Sequence, residues 1–279
     1  MLINYGFDIS ITAAQSTPLI TLLDIRAERR GDITGEGPFV TTPEVAVSKY
    51  RDQFGNICRR LVAPAGEFRL TLSGTIRDSG KSDLVDESLA EIPIPELPDD
   101  VLVYLLGSRY CETDRLSELA WDRFGSLPPG WTRVQTIVDF VHDHLTFGYQ
   151  HARATRTAAD AFYERVGVCR DFAHLTIALC RCLNIPARYV NGYLGDIGVP
   201  PDPAAMDFSA WCEVYLGGRW CTFDARHNRP RIGRIAVAHG RDATDVPLIH
   251  SFGPHLLKSF KVWTDEVTDA GAQSARPAA

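Results

Sequence analysis

Two consecutive glycines, Gly217 and Gly218, separate two runs of alternating polar and apolar residues, 209–216 and 219–224. Glycine tolerates the positive φ that two-residue hairpin loops need, so this pattern predicts a tight β-hairpin. The turn sets the register. Leu216 faces Arg219, Glu213 faces Thr222, Trp211 faces Asp224, and Ser209 faces Arg226. One face then carries Ser209, Trp211, Glu213, Tyr215, Trp220, Thr222, Asp224 and Arg226. The other carries Phe208, Ala210, Cys212, Val214, Cys221, Phe223 and Ala225 and is apolar, so Cys212 and Cys221 are expected as packing residues. Ser209 and Asp224 become diagonal neighbours, about 7–8 Å apart at the backbone, within reach of side chains of moderate length.

A second stretch lies upstream. Gly167, Val168 and Cys169 are followed by Phe172, Leu175, Thr176, Leu179, Cys180 and Leu183, which recur at helical spacing. Gly167 reads as a sharp turn, and Asn184 and Pro186 close the helix. Cys169 is thereby expected in the first turn, where unpaired N–H groups and the helix dipole favour an anion. The thiolate is the reactive form of cysteine, and a helix N-terminus is one setting that lowers a thiol pKa. His174 lies five residues on, about 140° around the helix, and is expected to face away. His151 lies in a loop before the helix.

The remaining residues bound the possibilities. The chain has 279 residues, 45% of them hydrophobic, enough for one large core or two moderate ones. A net charge of −6 gives no electrostatic reason to expect nucleic acid. No apolar run is long enough to span a membrane, and no secretion signal is visible at the N-terminus. Seven cysteines without a CxxC pair argue against a disulfide framework and a zinc ribbon, and suit a reducing cytoplasm. No cofactor or metal is expected.

Residues 1–95 read as a β-rich domain. The segments 19–25, 44–49, 57–62 and 68–74 are strand-like with turn residues between them, the pattern of a β-sandwich. Residues 77–87 are polar, and Pro93, Pro95 and Pro98 suggest an extended connector at the domain boundary. Helices follow at 115–124, at 134–145 with a capping box from Thr132 and Gln135, and near 157–165 with Thr157 and Asp160 as cap. His142 and His144 are expected to face solvent. After the Cys169 helix come a strand at 188–194, a loop at 195–206, the hairpin, a strand at 232–239, and segments near 250–253 and 260–263 that would finish the same sheet. Residues 96–267 form the second domain, and 268–279 read as a disordered tail.

Three motifs, in order, resemble the transglutaminase-like superfamily. They are Gly167 to Ala173 at the helix start, Asn184 to Val190 with Gly192 and Tyr193, and Ala210-Trp211 through Trp220 to Asp224. The resemblance covers roughly 134–224, and the β-rich segment before it looks like the N-terminal region of bacterial members. It implies an α+β, papain-like core of helices on an antiparallel sheet, preceded by an N-terminal β-sandwich. It also implies thiol chemistry on a peptide or amide substrate, through a thioester that water or an amine resolves. Cys169 would be the nucleophile, Asp224 the acid that orients a histidine, and the Cys169 backbone N–H an oxyanion donor.

The chain departs from this pattern at Ser209, which stands where the family has its histidine. Serine does not titrate near neutrality and cannot shuttle protons as imidazole does. His227 is a substitute base only if the strand ends or bulges after Asp224, because the register otherwise turns it to the core face. Trp211 and Arg226 are the expected substrate contacts, and the Arg-rich turn 226–231 could receive an anionic group. The alternative is a catalytically inactive homologue that binds a peptide-like ligand or partner. The oligomeric state, calcium dependence and substrate are left open.

Overall fold

A computed structural model describes residues 1–268. The N-terminal part is built from β1 (Leu2–Ala13), β2 (Thr17–Thr21), β3 (Ile33–Glu36), β4 (Val40–Thr42), β5 (Ser48–Arg51), β6 (Ile57–Ala63) and β7 (Gly66–Arg77). β1 is the backbone of this part. Its odd positions Ile3, Tyr5, Phe7, Ile9 and Ile11 are buried, the period-2 pattern of a strand with one face on a core.

The second part opens with α1 (Asp99–Leu102), α2 (Thr113–Phe124), α3 (Trp131–His144), β8 (Thr146–Phe147), α4 (Ala158–Glu164), β9 (Val166–Gly167) and α5 (Cys169–Cys182). It continues with β10 (Ala187–Tyr193), β11 (Ser209–Leu216), β12 (Arg219–Phe223), β13 (Ile235–Gly240), β14 (Ile249–Ser251) and β15 (His255–Glu266). The sheet β12-β11-β10-β13 is antiparallel. α5 packs on β10 and β11, with α2, α3 and α4 around it. Every residue from Asp171 to Cys182 is buried, so α5 is a central helix rather than the one-sided amphipathic helix its spacing suggests. The α+β, papain-like arrangement of helices on an antiparallel sheet is therefore present, with a strand-rich region before it.

Strand pairing corrects the linear division at residue 95. β15 pairs with β1, giving the sheet β15-β1-β7-β3 with β4 alongside, and β14 pairs with β2 in the sheet β14-β2-β6-β5. Residues 249–266 thus complete the N-terminal sheets instead of finishing the α5 sheet. The two parts share one continuous core, with the Tyr5 ring edge-on to Tyr193 at 5.5 Å. The expected connector is also anchored: Ser82 bridges to Ile232, and Asp83 accepts from the Arg231 backbone and the Arg234 guanidinium.

Local signals succeeded unevenly. Gly217 and Gly218 have φ of 55° and 82°, and Leu216 pairs with Arg219 and Glu213 with Thr222, as the hairpin register requires. The ladder stops at Cys212 and Phe223, so Trp211 does not pair with Asp224 nor Ser209 with Arg226. Thr157 and Asp160 form the expected capping box on α4. The box expected from Thr132 is absent, because α3 begins one residue earlier, at Trp131, with Gly130 as its cap. The tail expected at 268–279 lies, except for Thr268, outside the described residues.

Candidate active site

Cys169 is the first residue of α5, so its backbone N–H has no acceptor within the helix. Asp171, fully buried, reaches back to accept from the Val168 N–H at 2.9 Å and pairs with Arg156 at 3.3 Å and Arg170 at 3.4 Å. This clamp fixes how the chain enters the helix. It also explains Gly167, though not by a left-handed turn: a Cβ there would lie 2.6 Å from Cβ of Asp171. Of the seven cysteines, all free, Cys169 is the one that is not buried.

The cavity that Cys169 borders has a volume of about 640 Å³ and is also lined by Tyr189, Asn191, Asp207 and Ser209. The residue retains access to this space, but its sulfur is packed. Burial pushes the thiol up to about 11; the Arg226 guanidinium and the Ala210 backbone N–H oppose this, and Asp207 and Asp224 reinforce it. Desolvation at the sulfur thus works against the thiolate that the helix tip would favour.

Ser209 opens β11 opposite Gly192 and is buried at the edge of the Cys169 cavity. Asp224 follows the last residue of β12, and there the chain leaves the sheet. The Asp224 carbonyl accepts from the Asn228 N–H at 2.7 Å, closing a turn, and the Asp224 carboxylate accepts from the His227 backbone N–H at 3.2 Å. His227 is thereby swung off the core face. Its Nδ1 lies 2.8 Å from Oδ2 of Asp224. Arg234 donates to the same oxygen at 2.9 Å. Burial alone would raise the Asp224 carboxyl, but Arg234, and after it His227, hold it well below the usual carboxylate range. An ionised carboxylate only accepts hydrogen bonds, so Nδ1 carries a proton and Nε2 is the ring nitrogen that Asp224 leaves unengaged.

His227 lines a small pocket with Tyr149, Arg226, Asp207 and Ser209. Asp207 and Ser209 border both this pocket and the Cys169 cavity, so the two spaces adjoin. Arg226 lies 3.9 Å above the Phe147 ring, where its charge acts on Cys169 and Asp207.

The other expected residues fall elsewhere. Trp211 is buried and lines a separate cavity with Arg188 and Arg234, away from Cys169, so it is not positioned as a contact for a substrate at the thiol. His174 is buried, accepts from the Ala243 N–H through Nε2 and stacks on Tyr110; burial pushes its pKa down. His142 and His144 are half-buried rather than fully solvent-facing: Nδ1 of His142 bonds the Ala225 carbonyl at 2.8 Å, and Nε2 of His144 bonds the Phe162 carbonyl at 2.7 Å. The first of these ties α3 to the Asp224 turn.

Two residues escape the sequence reading. Asp207 is half-buried, and desolvation pushes its carboxyl up; it stands two residues before Ser209, a spacing that puts both on one face of an extended chain. Arg234 has no such signal, since it lies ten positions beyond Asp224 and a loop carries it back.

Residues 122–225 match the profile of the transglutaminase-like superfamily. The structure superimposes with a TM-score of 0.83 on a crystal structure from Cytophaga hutchinsonii, provisionally described as a cysteine protease. The two are 30% identical over 96% of this chain and 92% of that one. The chain belongs to the transglutaminase-like superfamily. An uncharacterised protein of Mycobacterium leprae is 27% identical over 236 residues, 74% of this chain and 76% of that protein. An uncharacterised Mycobacterium tuberculosis protein is 28% identical over 144 residues, 48% of this chain and 46% of its own length. The transglutaminase-like match stops at residue 225, two residues short of His227. Among the described residues no helix is long and apolar enough to cross a membrane.

Proposed function

We propose that this transglutaminase-like protein is a cysteine-dependent acyl-transfer enzyme acting on a peptide or amide substrate, with His227 in place of the histidine missing at Ser209. The observation that carries this reading is the 2.8 Å contact of His227 Nδ1 with Asp224 in a pocket adjoining the Cys169 cavity. Asp224 fixes the tautomer and orientation of the ring, which is what an orienting acid does for a general base.

In this reading the Cys169 sulfur attacks the substrate carbonyl as its proton passes toward His227 Nε2. Because burial raises the thiol, proton removal accompanies attack rather than preceding it. The Cys169 backbone N–H faces the developing oxyanion. The imidazolium returns the proton to the departing amine, and water or a second amine then resolves the thioester. Ser209 and Asp207, bordering both spaces, flank the proton's route.

The raised thiol pKa favours a second reading, a binding module for a peptide-like ligand that has lost turnover. Single-turnover assays on amide and ester substrates, with trapping of the acyl-enzyme by mass spectrometry, separate the two. Acyl adducts on Cys169 that vanish in Cys169→Ala and slow by about 10²-fold or more in His227→Gln are expected for the enzyme. Ligand binding without any adduct on the native chain would replace it with the binding module.

A further inference from the structure

On the face of the sheet opposite α5, a cavity of about 340 Å³ lies between β10, β11 and β13 and the segment that follows β2. Its walls carry Arg26, Arg188, Glu213, Trp211, Arg234 and His239. Most of the charges are already matched. Arg188 pairs with Glu213 at 2.6 Å, Arg26 with Glu28 at 2.6 Å, and Arg234 with Asp83 and Asp224 at 2.9 Å each.

What stays unmatched is concentrated in three of these residues. Nη1 of Arg234, Nε1 of Trp211 and both ring nitrogens of His239 are buried without a hydrogen-bond partner. Arg234 Nη1 and Trp211 Nε1 can only donate, and a neutral imidazole donates through one nitrogen. Burial, reinforced by Arg188 and Arg26, keeps His239 well below its usual pKa and so neutral. Buried N–H groups are ordinarily paired, and a cluster of orphans beside one cavity marks a missing acceptor. The walls carry four guanidiniums, Arg26, Arg29, Arg188 and Arg234, against three carboxylates, Glu28, Asp83 and Glu213, so the local charge is slightly positive.

We propose that this cavity binds a small oxyanion, the phosphate or carboxylate group of a metabolite, through Arg234, Trp211 and His239. The site is distinct from the Cys169 cavity, from which β11 separates it, and it does not depend on whether Cys169 is catalytic. Arg234 links it to the Asp224–His227 pair, because Nη2 holds Asp224 while Nη1 is buried without a partner.

Thermal unfolding of the full chain at constant ionic strength tests the proposal. Inorganic phosphate and succinate are titrated separately against sodium chloride. One of them is expected to raise the melting temperature by roughly 5 °C at a hundred times its Kd. Whichever does so identifies the head group. Trp211→Phe keeps most of the ring and removes one donor, and is expected to weaken that response about tenfold. Ala236→Glu puts a carboxylate into the cavity wall and is expected to abolish it. If neither anion outperforms chloride, or if Ala236→Glu responds like the native chain, the cavity holds only water and the proposal is overturned. Calorimetric titration of the native chain and Ala236→Glu with the same anions keeps the outcome readable where a variant is unstable: equal heats in both, or none in the native chain, overturn it as well.

Discussion

Nδ1 of His227 meets Oδ2 of Asp224 across 2.8 Å inside a single turn, three residues apart in the chain. In the proposed reading a base and its orienting acid would be neighbours in sequence, with Arg234 as the second clamp on the same carboxylate oxygen.

His227→Gln and Asp224→Asn are therefore expected to lower kcat by about 10²–10⁴-fold, with KM changed far less. Steady-state kinetics on a substrate identified by adduct trapping checks this. Placing the imidazole back on the strand, as Ser209→His in a His227→Gln background, is expected to recover part of the loss. No recovery would show that position 209 cannot reach the same carboxylate.

The charges around the sulfur predict opposite effects of two substitutions on alkylation. Asp207→Asn removes a charge that disfavours the thiolate, so the thiol pKa falls and iodoacetamide labelling near pH 7.5 quickens. Arg226→Gln removes one that favours it, so labelling slows. In the native chain the rate at Cys169 is expected to rise about tenfold per pH unit toward its midpoint near 11. Mass spectrometry reads each cysteine separately, and Cys58 and Cys212 serve as buried controls.

Asp224 also predicts a pH dependence of stability. Its carboxyl is depressed in the folded state relative to the unfolded value near 4, so its contribution is full above about pH 4 and is lost as acid protonates it. Asp224→Asn leaves Arg234 and Asp83 as a partly broken buried network and is expected to cost ~3–5 kcal/mol at neutral pH. The gap between native and variant should narrow below pH 4 in urea titrations.

Leu175 is fully buried in α5 within the shared core. Leu175→Ala is expected to cost ~2–5 kcal/mol by leaving a cavity, with one cooperative transition for the whole chain because the core is continuous. Denaturation followed by both far-ultraviolet circular dichroism and tryptophan fluorescence measures it.

Local chemistry made much of this legible. The hairpin could be read because Gly217 and Gly218 leave one turn geometry, and the Cys169 helix because its start has a glycine and its end a proline. β1 was legible too, since Ile3, Tyr5, Phe7, Ile9 and Ile11 alternate cleanly, but a reading that begins its strands at Leu19 misses it. The pairing of β1 with β15 was not legible, because nothing local says which strands meet across the length of a chain. The same limit hid Arg234, whose role depends on a loop returning it to Asp224. His227 was half legible: its nearness to Asp224 is in the sequence, but the strand end that swings it around is a tertiary fact. The desolvation of the Cys169 sulfur was not legible, since helix position can be read from spacing but burial cannot.

β15 pairs with β1 along nearly its whole length, from Ile3 with Glu266 to Ala13 with His255. During synthesis the first strand must therefore wait for the last to leave the ribosome before its sheet acquires its outer member. Contacts this distant along the chain are slow to form, so the nascent N-terminal half has a long interval in which an open strand edge needs shielding.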